Sequence, residues 1–310
     1  LLALTPSLTK AQPEPRGQVA DEFQPVPVIS SLKQLKPIAN LGEGPKKENS
    51  GIVKSRTQKD VYWMQNDSGD GPRIYPVDIK GYVYGSDRYN GITGVEIAGA
   101  LNIDWEDIAV DASGNVLVAD FGNNSNSRRD LSIYVIPEPR KEAGRAQFIN
   151  RWFFQYPDQM SHPPSNEDFN YDSEGMFTIG DEVYIVSKNR SDTYSKLYHL
   201  GNPKPNVINT LVYQGRFNTR GKSTGADATP DGLKLVISTY DTVWLFERES
   251  HSVPFFAGKI SYYKFDAPQV EAICFDDPET LILADEQSAV LYRLETKDFK
   301  PYPDSSKKGT

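Results

Sequence analysis

Apolar residues along this chain come in short runs rich in Val, Ile, Leu, Tyr and Phe, broken by Gly, Asp, Asn and Pro. Such runs read as strands separated by tight turns, and convincing amphipathic helices are scarce. The runs also recur as a unit. Each unit has a small or acidic start, an apolar strand, a tight turn, a second apolar strand, a polar loop, and a third strand holding Tyr or Trp. The second copy reads WEDIAVDASG, NVLVADFGNNSNSRRD, LSIYVIPEP, and the fifth reads VEAICFDDPE, TLILADEQS, AVLYRLE. Taking Gly51, Glu106, Glu174, Gly225 and Glu271 as equivalent starts gives steps of 55, 68, 51 and 46 residues. An irregular period of this kind suits a propeller with loop insertions better than a solenoid.

A fourth strand follows four of the copies, in GITGVEIAG, AQFINRWFFQY, NVINTLVYQG and GKISYYKF. The fifth copy lacks one, whereas LKQLKPIANL near the N-terminus has no blade of its own. Adding that segment to the last blade closes the ring and removes two exposed edges. The expectation is an all-β chain: a β-propeller of four-stranded blades, closed by an N-terminal strand. Five blades are counted, or six if two are merged across the insertions at 80–104 or 157–172. Residues 1–27 read as a signal-peptide remnant or a disordered Pro-rich segment, 28–302 as a single propeller domain, and 303–310 as a disordered tail.

Composition narrows the function. A net charge of −8 with no basic block argues against nucleic acid or anionic membrane as partner. No apolar run is long enough to span a membrane, and a monomer is expected. The lone cysteine, Cys274, reads as a buried small hydrophobe, and only three histidines occur, none at paired ligand spacing.

In a propeller the first strand of each blade lines the central channel. The loop entering that strand and the loop joining strands two and three share one face. Glu106, Glu174 and Glu271 then converge at one mouth, with Gly51 and Gly225 in the other two places and Asp227 two residues beyond Gly225. Loops on that face bring Asn66, Asp67, Asp120, Asn123, Asn124, Lys188, Asn189, Arg190, Asp241, Asp285 and Glu286. The turns DASGN, TPDG and DDPE, with Asp111, fall on the opposite face. Like-charged carboxylates held together raise one another's pKa. Calcium relieves this with six to eight oxygen ligands, whereas zinc prefers nitrogen and sulfur. The metal candidates are therefore Glu106, Glu174, Glu271 and Asp227. The alternative is a scaffold in which the glutamates accept neighbouring N–H groups or pair with Arg128, Arg190 or Lys188. The ligand-binding candidates are Asp67, Asp120, Asn124, Arg128, Lys188, Tyr240 and Trp105. Trp63 and Trp244 read as packing between blades. The nucleophile pattern G-x-S-x-G is absent, and His162, in the loop before Glu174, is the weak candidate for a catalytic base.

The segment DWEDIAVD…VLVADFGNN…R…LSIYVIPEP, with YWMQNDSG before it and SEGMF, STGADATPDG…STY and VEAICFDD after it, resembles a family of uncharacterised exported bacterial β-propeller proteins. The resemblance covers roughly residues 50–290. It implies shared polar positions at Asp67, Asp104, Glu106, Asp107, Asp120, Asn124, Arg128, Glu174, Asp227, Tyr240 and Glu271. Two positions depart from the pattern: FGNN lacks an acid in its third place, and Ser238 stands where Arg is common. More distantly the chain is similar to esterase-like phytase propellers and calcium-dependent phosphotriesterase or lactonase propellers. The expected function is an exported (periplasmic, cell-surface or secreted) propeller that binds calcium at its acidic mouth. It hydrolyses a small phosphoester, ester or lactone, as a metal-dependent hydrolase if it is an enzyme. The alternative is a non-catalytic module binding a small ligand or a cell-surface partner.

Overall fold

A computed structural model describes residues 33–46, 48–85 and 94–302 of the chain. The N-terminal segment 1–27, where the export signal was read, and the tail 303–310 lie outside the described residues.

The described residues form five antiparallel blades of four strands each, in sequential order from the channel outward in blades 1 to 4, while blade 5 takes its outermost strand from the N-terminal segment. The inner strands are Asn49–Lys54, Trp105–Val110, Asp172–Ile179, Ser223–Ala228 and Val270–Asp277, heading blades 1 to 5. They touch in cyclic order, so the ring is closed and the six-blade alternative is excluded. The outermost strand of blade 5 is Lys36–Asn40, antiparallel to Val290–Glu295, which is the expected N-terminal closure.

Both faces of each blade are covered by its neighbours, which is why the strands read as nearly continuous apolar runs. In Asn115–Asp120 of blade 2, Val116 and Val118 pack toward blade 1 while Leu117 and Ala119 pack toward blade 3. Trp63 likewise packs toward blade 2, and Tyr62 and Met64 toward blade 5. Five such hydrophobic clusters fill the five gaps between blades among the described residues. Cys274 is fully buried in one of them.

Three of the expected outer segments divide between two blades. In AQFINRWFFQY, Arg145–Gln147 pairs in parallel with the outer strand of blade 1, and Asn150–Gln155 then forms the outer strand of blade 2. NVINTLVYQG splits the same way between blades 2 and 3, and the N-terminal segment between blades 4 and 5. Each split staples one blade to the next and covers an edge that would otherwise stay open. The strand-one to strand-two turns lie on the far face, as expected. In one of them Asp111 accepts bonds from the Asn115 backbone and side chain at 2.7 and 2.8 Å, with Gly114 at φ 81°.

Candidate functional site

Every inner strand carries a register shift at the same place, between Asn49 and Gly51, Trp105 and Asp107, Ser173 and Gly175, Ser223 and Gly225, and Val270 and Ala272. The extra residue of each bulge is Ser50, Glu106, Glu174, Thr224 or Glu271. A bulge frees a residue from the alternation of the strand and re-aims its side chain. The ring at the mouth therefore holds three glutamates and two hydroxyls. Ser50 and Thr224, rather than Gly51 and Gly225, are the structural equivalents of the glutamates.

All three glutamates are buried, at 3 % exposure for Glu106, 2 % for Glu174 and 5 % for Glu271. Two groups of carboxylates bring their oxygens within 4.8 Å of one another: Asp67, Asp104 and Glu106, and Glu106, Asp172 and Glu174. Glu106 is the shared vertex. Two full negative charges at that spacing repel by about 3 kcal/mol at an effective dielectric near 20, so the groups respond by holding protons. Burial, then Glu174, Asp67 and Asp172, push Glu106 well above the usual carboxylate range. Burial, then the Asp67 charge, raises Asp104 to about 7, and burial raises Asp67 as well. Glu174 rises to about 8 through burial, although the Lys188 ammonium pulls in the opposite direction.

Part of this charge is compensated. Lys188 donates to Glu174 Oε1 at 2.6 Å and lies 5.5 Å from the centre of the Tyr240 ring. Arg190 Nε donates to Asp172 Oδ2 at 2.7 Å, and its Nη2 reaches Asn124 Oδ1. Arg128 and Arg151 pair with Asp120, which also accepts the Asp104 N–H at 3.2 Å. Asp67, Asp104 and Glu106 have no such ion pair among the described residues; Glu106 has the Ser50 hydroxyl at 3.2 Å. Glu174 Oε2 is buried with no hydrogen-bond partner among the described residues. Gly122 leaves the room for this packing: a Cβ there would stand 2.3 Å from Glu106 Oε1 and 2.5 Å from Asp104 Oδ2.

The donor set is entirely oxygen, as a hard cation requires. Two ligands on opposite sides of a calcium ion lie at most about 5 Å apart, given Ca–O distances near 2.5 Å, and the 4.8 Å grouping fits within that span. Each group of three oxygens is therefore close enough to hold a divalent cation, with Glu106 common to both.

Several expected residues fall elsewhere. Asp227 sits three positions past Thr224, accepts the Phe275 and Ala228 N–H groups at 2.8 Å each, and belongs to the far end of the channel. Trp105 is fully buried between blades 1 and 2, its Nε1 donating to the Leu101 carbonyl at 3.0 Å, and does not reach the mouth. Glu271 stands across the ring in neither carboxylate group; Gln269 bridges it, at 2.7 Å, to Glu286. His162 makes no hydrogen bond among the described residues, and burial and Arg129 lower its pKa.

Asp172 was not picked out, and Asp104 was carried by resemblance alone, yet the repeat contains a signal for both. Asp104 precedes Glu106 by two residues, Asp172 precedes Glu174 by two, and Gln269 holds that place before Glu271. The D-x-E pair of blades 2 and 3 marks the side of the ring where the acids gather.

The fold and site define a five-bladed propeller with an oxygen-lined, acidic channel mouth. No protein-family model matches the chain, and no curated protein matches it either. Among solved structures it is similar to a protein provisionally classed as a gluconolactonase, at 13% identity over 87% of this chain and 94% of that one, with a TM-score of 0.45. It is also similar to virginiamycin B lyase from Staphylococcus aureus, at 14% identity over 81% of this chain and 67% of that one, TM-score 0.38. A catalytically inactive variant of that lyase with quinupristin gives 14% identity over 82% and 68%, TM-score 0.40. All three scores lie below 0.5, and the propeller assignment rests on the strand pairing alone.

Proposed function

We propose that the acidic mouth holds one divalent cation, calcium, and that the loaded mouth binds and hydrolyses a small phosphoester, ester or lactone. The observation that carries this reading is Glu174 Oε2, a buried carboxylate oxygen without a hydrogen-bond partner among the described residues, on a side chain that belongs to one of the two acid groups. Leaving such an oxygen unpaired is costly in a protein interior.

Asp67, Asp104, Glu106 and Glu174 would hold the cation, and Asp172, fixed by Arg190, would complete the shell. When bound, a divalent cation polarises a carbonyl or phosphoryl oxygen and acidifies water. The chain's own residues supply the rest. Tyr240, exposed beside the Lys188–Glu174 pair, suits the negative end of a ligand as a hydroxyl donor. Glu286 is half-buried outside both carboxylate groups, and burial, then Glu271 and Asp67, raises it to about 7. It is therefore the carboxyl suited to accept a proton from water at neutral pH. The second reading is a binding module without catalysis, favoured by the absence of any histidine from the cluster.

Thermal melting in EDTA and in calcium tests the cation. At a hundredfold excess over Kd, linkage supplies about 2.7 kcal/mol, or a rise of roughly 5 °C in a domain of this size. An unchanged Tm at millimolar calcium refutes the metal. If the shift appears, turnover of nitrophenyl phosphoesters and simple lactones separates enzyme from binder. Glu106→Gln and Glu174→Gln should abolish both the shift and the turnover.

A further inference from the structure

At the opposite end of the channel from the acids, the inner strands of blades 1, 4 and 5 and their turns line a half-open cavity of about 330 Å³. That is the lower end of the range for small-molecule sites, so its occupant is small. Its wall is apolar, formed by Val53, Ala228, Phe275 and Pro230.

The charged groups around it are not equivalent. Lys54 donates to the carbonyl and to Oδ1 of Asp276, both at 2.6 Å, and Asp276 also holds Tyr62 and Arg293. That set is closed on itself. Asp227, on the cavity floor, has both oxygens engaged by N–H groups, and burial raises its pKa to about 7. Arg56 differs. Its exposed guanidinium makes one hydrogen bond among the described residues, to the neutral Thr178 hydroxyl at 3.3 Å. A guanidinium carries five N–H donors in a planar fork matched to a carboxylate. Arg56 thus brings to the edge of an apolar cavity a charge that forms no close ion pair among the described residues, although it acts on the Asp227 carboxyl at the floor and draws its pKa down.

We propose that this far mouth is a second binding site, taking a small carboxylate with an apolar body. Arg56 holds the head group by paired N–H bonds, and Val53, Phe275 and Pro230 receive the body. Asp277, exposed on the rim with its Oδ1 bound to the Glu279 N–H at 2.8 Å, opposes the anion and limits affinity. The site shares no residue with the acidic mouth and does not depend on its cation.

Benzoate is a suitable probe, with benzylamine as its counterpart of opposite charge. Binding to the full chain is followed by saturation-transfer NMR and calorimetry. Benzoate should bind, benzylamine should not, Arg56→Gln should weaken benzoate at least tenfold, and Asp277→Asn should strengthen it. Both substituted residues are exposed, so neither change threatens the fold. EDTA should leave benzoate binding intact; its loss in EDTA would move the anion to the acidic mouth and overturn the proposal. Equal binding by wild type and Arg56→Gln, no benzoate binding at millimolar concentration, or preference for benzylamine would overturn it too.

Discussion

Lys188 and Glu174 form a buried ion pair that uses only half of the carboxylate: Nζ lies 2.6 Å from Oε1, while Oε2 is buried without a hydrogen-bond partner among the described residues. Each side chain is less than 10% exposed, at 8% and 3%. The pair is therefore both a strut between strands one and two of blade 3 and one edge of the candidate cation site. A buried pair stripped of one partner leaves an uncompensated charge, at a cost of about 3–5 kcal/mol.

Lys188→Met separates the two roles. In EDTA at pH 8 it should destabilise the protein by about 3 kcal/mol, read as a shift in the denaturant midpoint. The cost should shrink at pH 5, where Glu174 takes up a proton, and should shrink again in calcium. A loss equal in all three conditions would make Lys188 a packing residue only.

The pH dependence of the metal-free protein has a definite sign. Glu174 stands at about 8 in the fold, and Asp104, Glu286 and Asp227 at about 7, each raised by burial first. A carboxyl whose folded pKa exceeds its unfolded value binds more protons in the native state. Its stabilising contribution is complete below the unfolded pKa and is lost as pH rises through the folded one. Between pH 5 and pH 8, Tm in EDTA should therefore fall. Calcium should flatten the upper part of the profile by displacing the shared protons. A Tm in EDTA that climbs over this window would show that the acids are ionised and otherwise compensated.

Ser50 offers a finer test, because its hydroxyl touches Glu106 at 3.2 Å without adding a carboxylate to the site. Hydroxyls that orient ligands change metal affinity by about 10–100-fold when removed. Ser50→Ala should weaken calcium at least tenfold in a chelator competition, separately from the loss of about 1–3 kcal/mol that removing a buried hydrogen-bonding hydroxyl brings in EDTA. Thr224→Ala, at the equivalent bulge in blade 4 and bonded instead to Ser238 at 3.1 Å, should leave calcium affinity unchanged.

The positions of Ser50 and Thr224 show where a sequence stops being readable. Alternating apolar runs and turn residues made the five blades and the N-terminal closure legible, because both faces of each strand are buried and periodicity records burial. Glu106, Glu174 and Glu271 were legible as equivalents because the repeat preserves them. The bulge was not. It adds one residue without a compositional mark, so aligning on glycine placed blades 1 and 4 one residue out of step. Trp105 misled in the same way: next to Glu106 in sequence, it points into the gap between blades while Glu106 points into the channel. Asp67 and Asp172 join Glu106 only because blades 1, 2 and 3 pack side by side, which brings together residues far apart in the chain.

Closure itself gives the last prediction. Leu35 and Leu41 flank the strand Lys36–Asn40 and are buried at 5% and 6%, Leu35 between blades 4 and 5 and Leu41 between blades 5 and 1. Each therefore anchors one side of the clasp that completes blade 5. Leu→Ala at a buried site costs about 2–5 kcal/mol, so Leu35→Ala and Leu41→Ala should each lower the denaturant midpoint by that measure. Being separated by the clasp strand and packed in different gaps, their effects should add to within about 0.5 kcal/mol. Removing the chain through Asn40 goes further and exposes the edge of Val290–Glu295, a ready template for intermolecular pairing. The truncated protein should then elute in gel filtration as a larger species than the full chain. A truncated form that elutes and melts like the full chain would mean that blade 5 is held by its packing on blades 4 and 1, with the clasp dispensable.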